Sequence, residues 1–160
     1  MVEVFGAKEL IAKFEAADAA LRKSEREWVW ESGKILEQAI EDNITAQGLI
    51  GGDDDPHPGA LIGSGRVFML TAHGVTVGFG NGIDYAPALE LGADPHVIEA
   101  TNVESLAFFW AREGVQFYGP RVNHPGNRPY RFMRNGSEEA MTPIAFMFMG
   151  RLRTIFGEVL

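Results

Sequence analysis

The chain contains no cysteine, which removes disulfides, thiolate metal sites and cysteine nucleophiles together. The same absence fits a protein made in a reducing cytoplasm. No window approaches the roughly 18 unbroken apolar residues of a membrane span, so no membrane partner is expected. Residues 1–20, MVEVFGAKELIAKFEAADAA, mix acidic side chains among the apolar ones and do not read as a secretory signal. The motifs of common chemistry are missing as well: there is no HExxH, GxSxG, P-loop or dinucleotide fingerprint.

What is present suits one globular domain over residues 1–160. Its 46% hydrophobic and 22% charged residues are enough to build a core without staples. The net charge of −8 is unevenly spread. Residues 1–111 hold seven Lys/Arg against 18 Asp/Glu, and residues 112–160 hold seven Arg against four Glu. An acidic first part and a basic last part suit pairing between copies or with an acidic partner; chance variation of surface charge gives the same count.

Lys8 to about Thr45 reads as one long amphipathic helix. Leu10, Phe14, Ala17, Leu21, Trp28, Ile35 and Ala39 recur at spacings of three, four or seven, with Glu15, Asp18, Lys23 and Glu37 on the other side. Gly33 in its middle marks a close contact or a bend. Trp28 and Trp30 cannot share one narrow helix face, so one of them faces a partner or a second local element. Residues 48–65, GLIGGDDDPHPGALIGSG, read as a long punctuated loop.

Arg66–Leu70 and Val75–Phe79 make a hairpin across Thr71–Gly74. The segment Val75 to Gly92, VTVGFGNGIDYAPALELG, opens as that second strand and breaks at Gly80-Asn81-Gly82, where a tight reversal demands positive φ. Ala93–Glu104 shows no assignable pattern. Leu106–Trp110 and Val115–Tyr118 form a second hairpin around Arg112-Glu113-Gly114, with Val115 and Phe117 expected inward. A hairpin this aromatic is core by default and an exposed contact patch otherwise. Pro120, Pro125 and Pro129 stiffen Arg121–Arg134. The last helix is expected from Ser137, with Ser137 as its cap, Glu138 and Glu139 in its first turn, and Met141, Ile144, Phe148, Leu152, Ile155 and Phe156 on its apolar face. Phe146, Met147 and Met149 carry apolar character around most of its middle, which asks for burial, for instance against another subunit. The expected fold class is α+β, with a long N-terminal helix and a C-terminal helix packed on a mainly antiparallel β-sheet.

Candidate chemistry is sparse. Asp53-Asp54-Asp55 with His57 has metal-ligand residue types, but the spacing matches no Ca²⁺ loop and a solvated acidic loop explains it. Gly78-Phe79-Gly80-Asn81-Gly82 resembles a phosphate loop without its lysine, and Asp84 and Glu90 follow where phosphate would be repelled. Asp84, His124 and Ser64 have no spacing that ties them into a hydrolytic triad. Arg121, Arg128, Arg131 and Arg134 alternate with Tyr118, Tyr130 and Phe132, a mixture that can grip nucleic acid or pair with acidic protein. No catalytic residue, metal or cofactor is assigned, and an enzyme is not expected.

Two stretches carry a resemblance. VGFGNGIDYAPALELG, through Val77, Gly78, Tyr85, Ala86, Glu90 and Gly92, and VNHPGNRPYRFMR, through His124, Pro125, Gly126, Pro129 and Phe132, resemble the signature blocks of a bacteriophage family. That family comprises the tail-completion or neck proteins of long-tailed phages related to minor tail protein Z. Ile62-Gly63-Ser64-Gly65-Arg66-Val67 departs from the threonine-glycine-x-leucine-arginine step common in such proteins. The resemblance implies a non-catalytic virion protein that forms a ring where tail meets head, and a ring of six copies is expected. Its implied partners are copies of itself and the adjoining head-completion or stopper, tail-terminator or tail-tube proteins. DNA would pass through the channel without specific binding. A tail-terminator ring protein is the alternative within the class, and a small DNA-binding module the alternative outside it. Tyr85, Glu90, Phe108, Trp110, His124 and Phe132 are the expected interface residues.

Overall fold

A computed structural model describes residues 6–50, 58–71, 73–101, 103–110 and 114–159, without the side chains of Leu70, Phe109, Trp110, Glu158 and Val159. The expected acidic cluster Asp53–Asp55 with His57, and the turn residues Arg112 and Glu113, lie outside the described residues.

Helix α1 spans Ala7–Ala46, close to the expected bounds, and at 1.5 Å per residue extends about 60 Å. Helix α4, Phe132–Val159, runs back along it. Ile40 meets Gly136 and Trp28 meets Phe148 edge to face at 5.9 Å, which makes the two helices antiparallel. The approach at Gly136 is close enough that a Cβ there would lie 2.6 Å from the Cα of Ile40. Asn43 donates from Nδ2 to Glu139 at 2.8 Å, Arg151 pairs with Glu31, and the Arg151 guanidinium lies 5.9 Å from the Trp28 ring. Trp28 is buried and Trp30 exposed, as the helical wheel requires.

Strands β1 (Arg66–Thr71) and β2 (Gly74–Gly78) form an antiparallel ribbon that packs on the other side of α1. Gly33 is the contact point. A Cβ there would come within 2.6 Å of Val75 Cγ2 and 2.8 Å of Val67 Cγ1, so the expected mid-helix glycine marks a close approach. Positive φ occurs at Gly80 and Gly82, as expected of the reversal after β2. Between α1 and β1 the presumed loop contains a short helix, α2 (Ala60–Gly63), whose Leu61 is buried. Ile40, Ile44, Leu61, Val77, Ala86 and Phe132 form the core, where α1, α2, β2, α3 (Ala86–Leu91) and α4 converge.

The β-structure is antiparallel throughout, as expected, but it is divided among two-stranded ribbons rather than one sheet. Strand β3 (His96–Glu99) pairs with β6 (Arg121–His124), and β4 (Leu106–Trp110) pairs with β5 (Val115–Gly119). The second ribbon is nested within the first: His96 faces His124, Glu99 faces Arg121, and Leu106 then faces Gly119. A backbone bond from Ala100 to Pro120, 2.9 Å, bridges the step. The two ribbons thus make a single β-arm of which β4 and β5, the expected hairpin strands, are the outer half. The region without assignable pattern supplies β3, and the proline-stiffened block supplies β6.

Two expectations about packing are corrected. Val115 does not point inward: it is 51% exposed. Phe117 packs on Phe108 across the ribbon, with ring centroids 5.2 Å apart, and this half of the arm makes its main contacts within itself. It is an outlying patch rather than core. The C-terminal helix starts at Phe132 rather than Ser137. Ser137 lies inside it and its hydroxyl donates to the carbonyl of Met133 at 2.6 Å, an i−4 bond of the kind serine makes within helices.

Candidate functional site

The two sequence blocks singled out above come together at one corner, built by α3, the turn into α4 and the base of the arm. Pro87 sits in the first turn of α3, where its missing N–H costs nothing. At the end of α3 the Glu90 carboxylate reaches the start of α4. It accepts from the backbone N–H of Met133 at 2.9 Å and of Arg134 at 3.3 Å. Those N–H groups have no partner inside their own helix, and a negative charge there also suits the helix dipole. Helix α4 is therefore capped by a carboxylate 43 residues upstream, and it needs no serine of its own.

Backbone bonds stitch the same corner. Ala93 and Asn127 exchange N–H···O bonds of 3.0 and 2.9 Å, Tyr130 N–H donates to Leu89 O at 2.8 Å, and Asn127 Nδ2 donates to Ala88 O at 2.8 Å. Two glycines allow this contact. A Cβ on Gly92 would stand 3.0 Å from the Asn127 carbonyl and the Pro129 ring, and one on Gly126 would run into the Ala93 carbonyl. Arg131, just before α4, is held at φ 56°, a left-handed conformation that costs a non-glycine residue about 1–2 kcal/mol. The corner bonds on either side hold it there.

Beside the corner a half-open recess of about 580 Å³ is lined by Leu49, Tyr85, Leu89, His96, His124 and Tyr130, among others. The His96 and His124 rings lie 4.9 Å apart. His96 donates from Nδ1 to the Asp94 carbonyl at 2.8 Å, and His124 accepts at Nδ1 from Gly126 N–H at 3.1 Å. His124 is thereby a brace of the HPG turn. Among the described residues no group of three or more His, Asp or Glu is placed to hold a metal ion. Ser64 is also occupied locally: its hydroxyl donates to Leu61 O at 2.6 Å and accepts from Gly80 N–H at 2.7 Å.

The expected interface residues therefore separate. Tyr85 is 46% exposed at the mouth of the recess, and Phe108 is exposed on the arm. His124 lines the recess at the arm's base. Trp110 belongs to β4, and its side chain lies outside the described residues. Phe132, at 1% exposure, is enclosed in the subunit's own core, and Glu90 is engaged by α4. These last two organise the corner rather than present a surface. Each of the two blocks mixes residues that build the corner with residues that show on its surface.

Sequence reasoning missed the length of the arm, because β3 has an exposed side chain at each of its four positions and so no alternating pattern. The apolar residues expected around most of the middle of α4 do form an outward face, and Met141 of its expected apolar stripe joins them. Met141, Phe146 and Met149 are exposed there while Phe132, Gly136 and Ala140 face inward. No helix among the described residues is long and apolar enough to cross a membrane. Compared with family models, curated proteins and solved structures, the chain matches none.

Proposed function

We propose that this protein is a structural subunit of the neck of a tailed bacteriophage, assembled as a ring, six-membered in our reading, at the junction of tail and head. The reading rests on the resemblance of the two blocks around Tyr85–Gly92 and His124–Phe132. The observation that carries it is the β-arm. A two-stranded ribbon is marginal in water by itself, and this one shows Val97, Ile98, Phe108, Val115 and Tyr118 to solvent. Exposed apolar side chains on an outlying ribbon are suited to burial against another subunit.

The charge distribution supports the same reading. Rings form when one surface of a subunit meets a different surface of the next, and the acidic residues 1–111 complement the basic residues 112–160. The adjoining head-completion or tail proteins are the proposed further partners, and the virion the proposed location. Acidic surface turned toward the channel would let DNA pass, since DNA affinity comes largely from phosphate neutralisation.

The test is removal of the gene from the phage that encodes it. The expected result is accumulation of separate heads and tails, with the protein found by mass spectrometry in complete virions. Normal joined particles lacking the protein would refute the proposal. The DNA-binding alternative would use the exposed Arg121, Arg128, Arg131 and Arg134. It requires a salt-dependent mobility shift of duplex DNA, and our reading expects none.

A further inference from the structure

Helix α1 is longer than its partner. Forty residues extend about 60 Å, whereas the 28 of α4 extend about 42 Å. The two remain in register down to Ala17, which is 2% exposed. Beyond it the first turns of α1 overhang, and Leu10, Ile11 and Phe14 on one helix face are exposed. The molecule has another exposed apolar surface on the outside of α4. There Met141 and Phe146 are 68% and 67% exposed, with Met149 and Leu152 beside them. The overhang is a continuous part of α1, which lies on the opposite side of α4, so it cannot fold over to cover its own outer face.

We propose that the α1 overhang of one copy packs on the outer face of α4 in the next. The occupant is a second copy of this chain, because the rims of the two apolar surfaces offer one pair of opposite charges, Glu15 and Arg153. From Ala140 to Gly157, α4 carries only Arg151 and Arg153. Arg151 is paired with Glu31 of its own chain, while Arg153 is exposed and has no ion pair among the described residues. On the overhang, Glu15 follows Ile11 by four residues and so flanks the Leu10–Ile11–Phe14 face on one side, as Lys13, three residues after Leu10, does on the other. Two helices with apolar faces and one opposite charge at the rim can pack by interlocking side-chain ridges. The contact joins different surfaces of the two copies, so it propagates from subunit to subunit and closes a ring if the rotation allows. This inference rests on the ring reading and names the contact that would hold it.

The absence of cysteine makes the test clean. Exposed single variants Ile11→Cys, Met149→Cys and Tyr118→Cys are purified, mixed in pairs and oxidised, with the native mass of the unaltered chain measured in parallel. The expected result is a cross-linked dimer from I11C with M149C, and a ladder of higher species from the chain carrying both. A dimer from M149C alone would overturn the proposal in favour of α4 meeting α4. A dimer from M149C with Y118C, and none with I11C, would overturn it in favour of the arm. An assembled native mass with no cross-link to M149C would reject this contact and leave the ring standing. A native mass that stays monomeric with tails present as well as alone, and without cross-links, would reject both. As an independent readout, Glu15→Arg should weaken assembly at least tenfold, and Glu15→Arg combined with Arg153→Glu should restore it. Failure of the double variant to recover would contradict the pairing.

Discussion

Glu90 and Met133 lie 43 positions apart in the sequence, yet the carboxylate of one accepts the backbone N–H of the other at 2.9 Å. This bond, with its companion to Arg134, makes α3 the cap of α4. Removing a helix cap costs about 0.5–2 kcal/mol. Glu90→Ala should therefore lower the unfolding free energy, measured by denaturant titration, by an amount in that range. Glu90→Gln, which keeps an acceptor and loses the charge, should lose less, about 0.3–1 kcal/mol. Equal stability of the alanine variant and the parent would show that the cap contributes nothing.

Gly136 and Gly150 share α4 and should respond oppositely to alanine. At Gly136 the added Cβ meets the Ile40 backbone at 2.6 Å, whereas at Gly150 nothing lies within 4 Å. Overpacking a helix contact costs about 1–3 kcal/mol, and replacing an open helical glycine gains up to about 1 kcal/mol. Thermal unfolding of Gly136→Ala and Gly150→Ala should move the midpoint down and up respectively. A shift in the same direction would mean that α4 is not seated on α1 as described.

Glu41 supplies a pH dependence. Its burial, and then the nearby Glu37 carboxylate, raise its carboxyl above the ordinary value, with Lys34 opposing them. A folded value above the unfolded one means that the native state holds the proton more tightly, so the ionised form is a penalty. That penalty is fully present above the raised value and fades as pH falls through it toward the ordinary value of about 4.3. Glu41→Gln should thus be more stable than the parent near pH 7, and the gap should close by about pH 4. A gap that widens on acidification would reverse the sign of the argument.

Phe132 and Tyr85 separate folding from assembly. Phe132→Ala empties a site in the core and should cost about 3–5 kcal/mol. Tyr85→Ala, at the mouth of the recess, should leave unfolding within about 0.5 kcal/mol of the parent and weaken ring or neck assembly instead. Normal head-to-tail joining by a well-folded Tyr85→Ala variant would remove this residue from the contact.

Much of the fold was legible because its signals are local. The spacing of Leu10, Phe14, Ala17 and Trp28 placed α1 to within a residue at each end, and the alternation of Val75 and Val77 placed β2. The unread parts depend on partners distant in the sequence. Phe132–Arg134 was read as the end of the proline-stiffened block because nothing beside it marks a helix start; the cap is Glu90. Strand β3 has no buried face, and its only structural definition is the pairing of His96–Glu99 with Arg121–His124. The candidate site was legible as two blocks, through Glu90, Gly92, Gly126 and Pro129. Their junction was not, since it rests on backbone bonds such as Ala93 with Asn127 that leave no mark on residue type.

The central claim is that this chain forms a ring, and native mass with negative-stain imaging of the purified protein tests it most directly. The account predicts a closed particle of six 17.6 kDa chains around an open channel, formed alone or on addition of tails. A chain that stays monomeric at high concentration and in the presence of tails would contradict it.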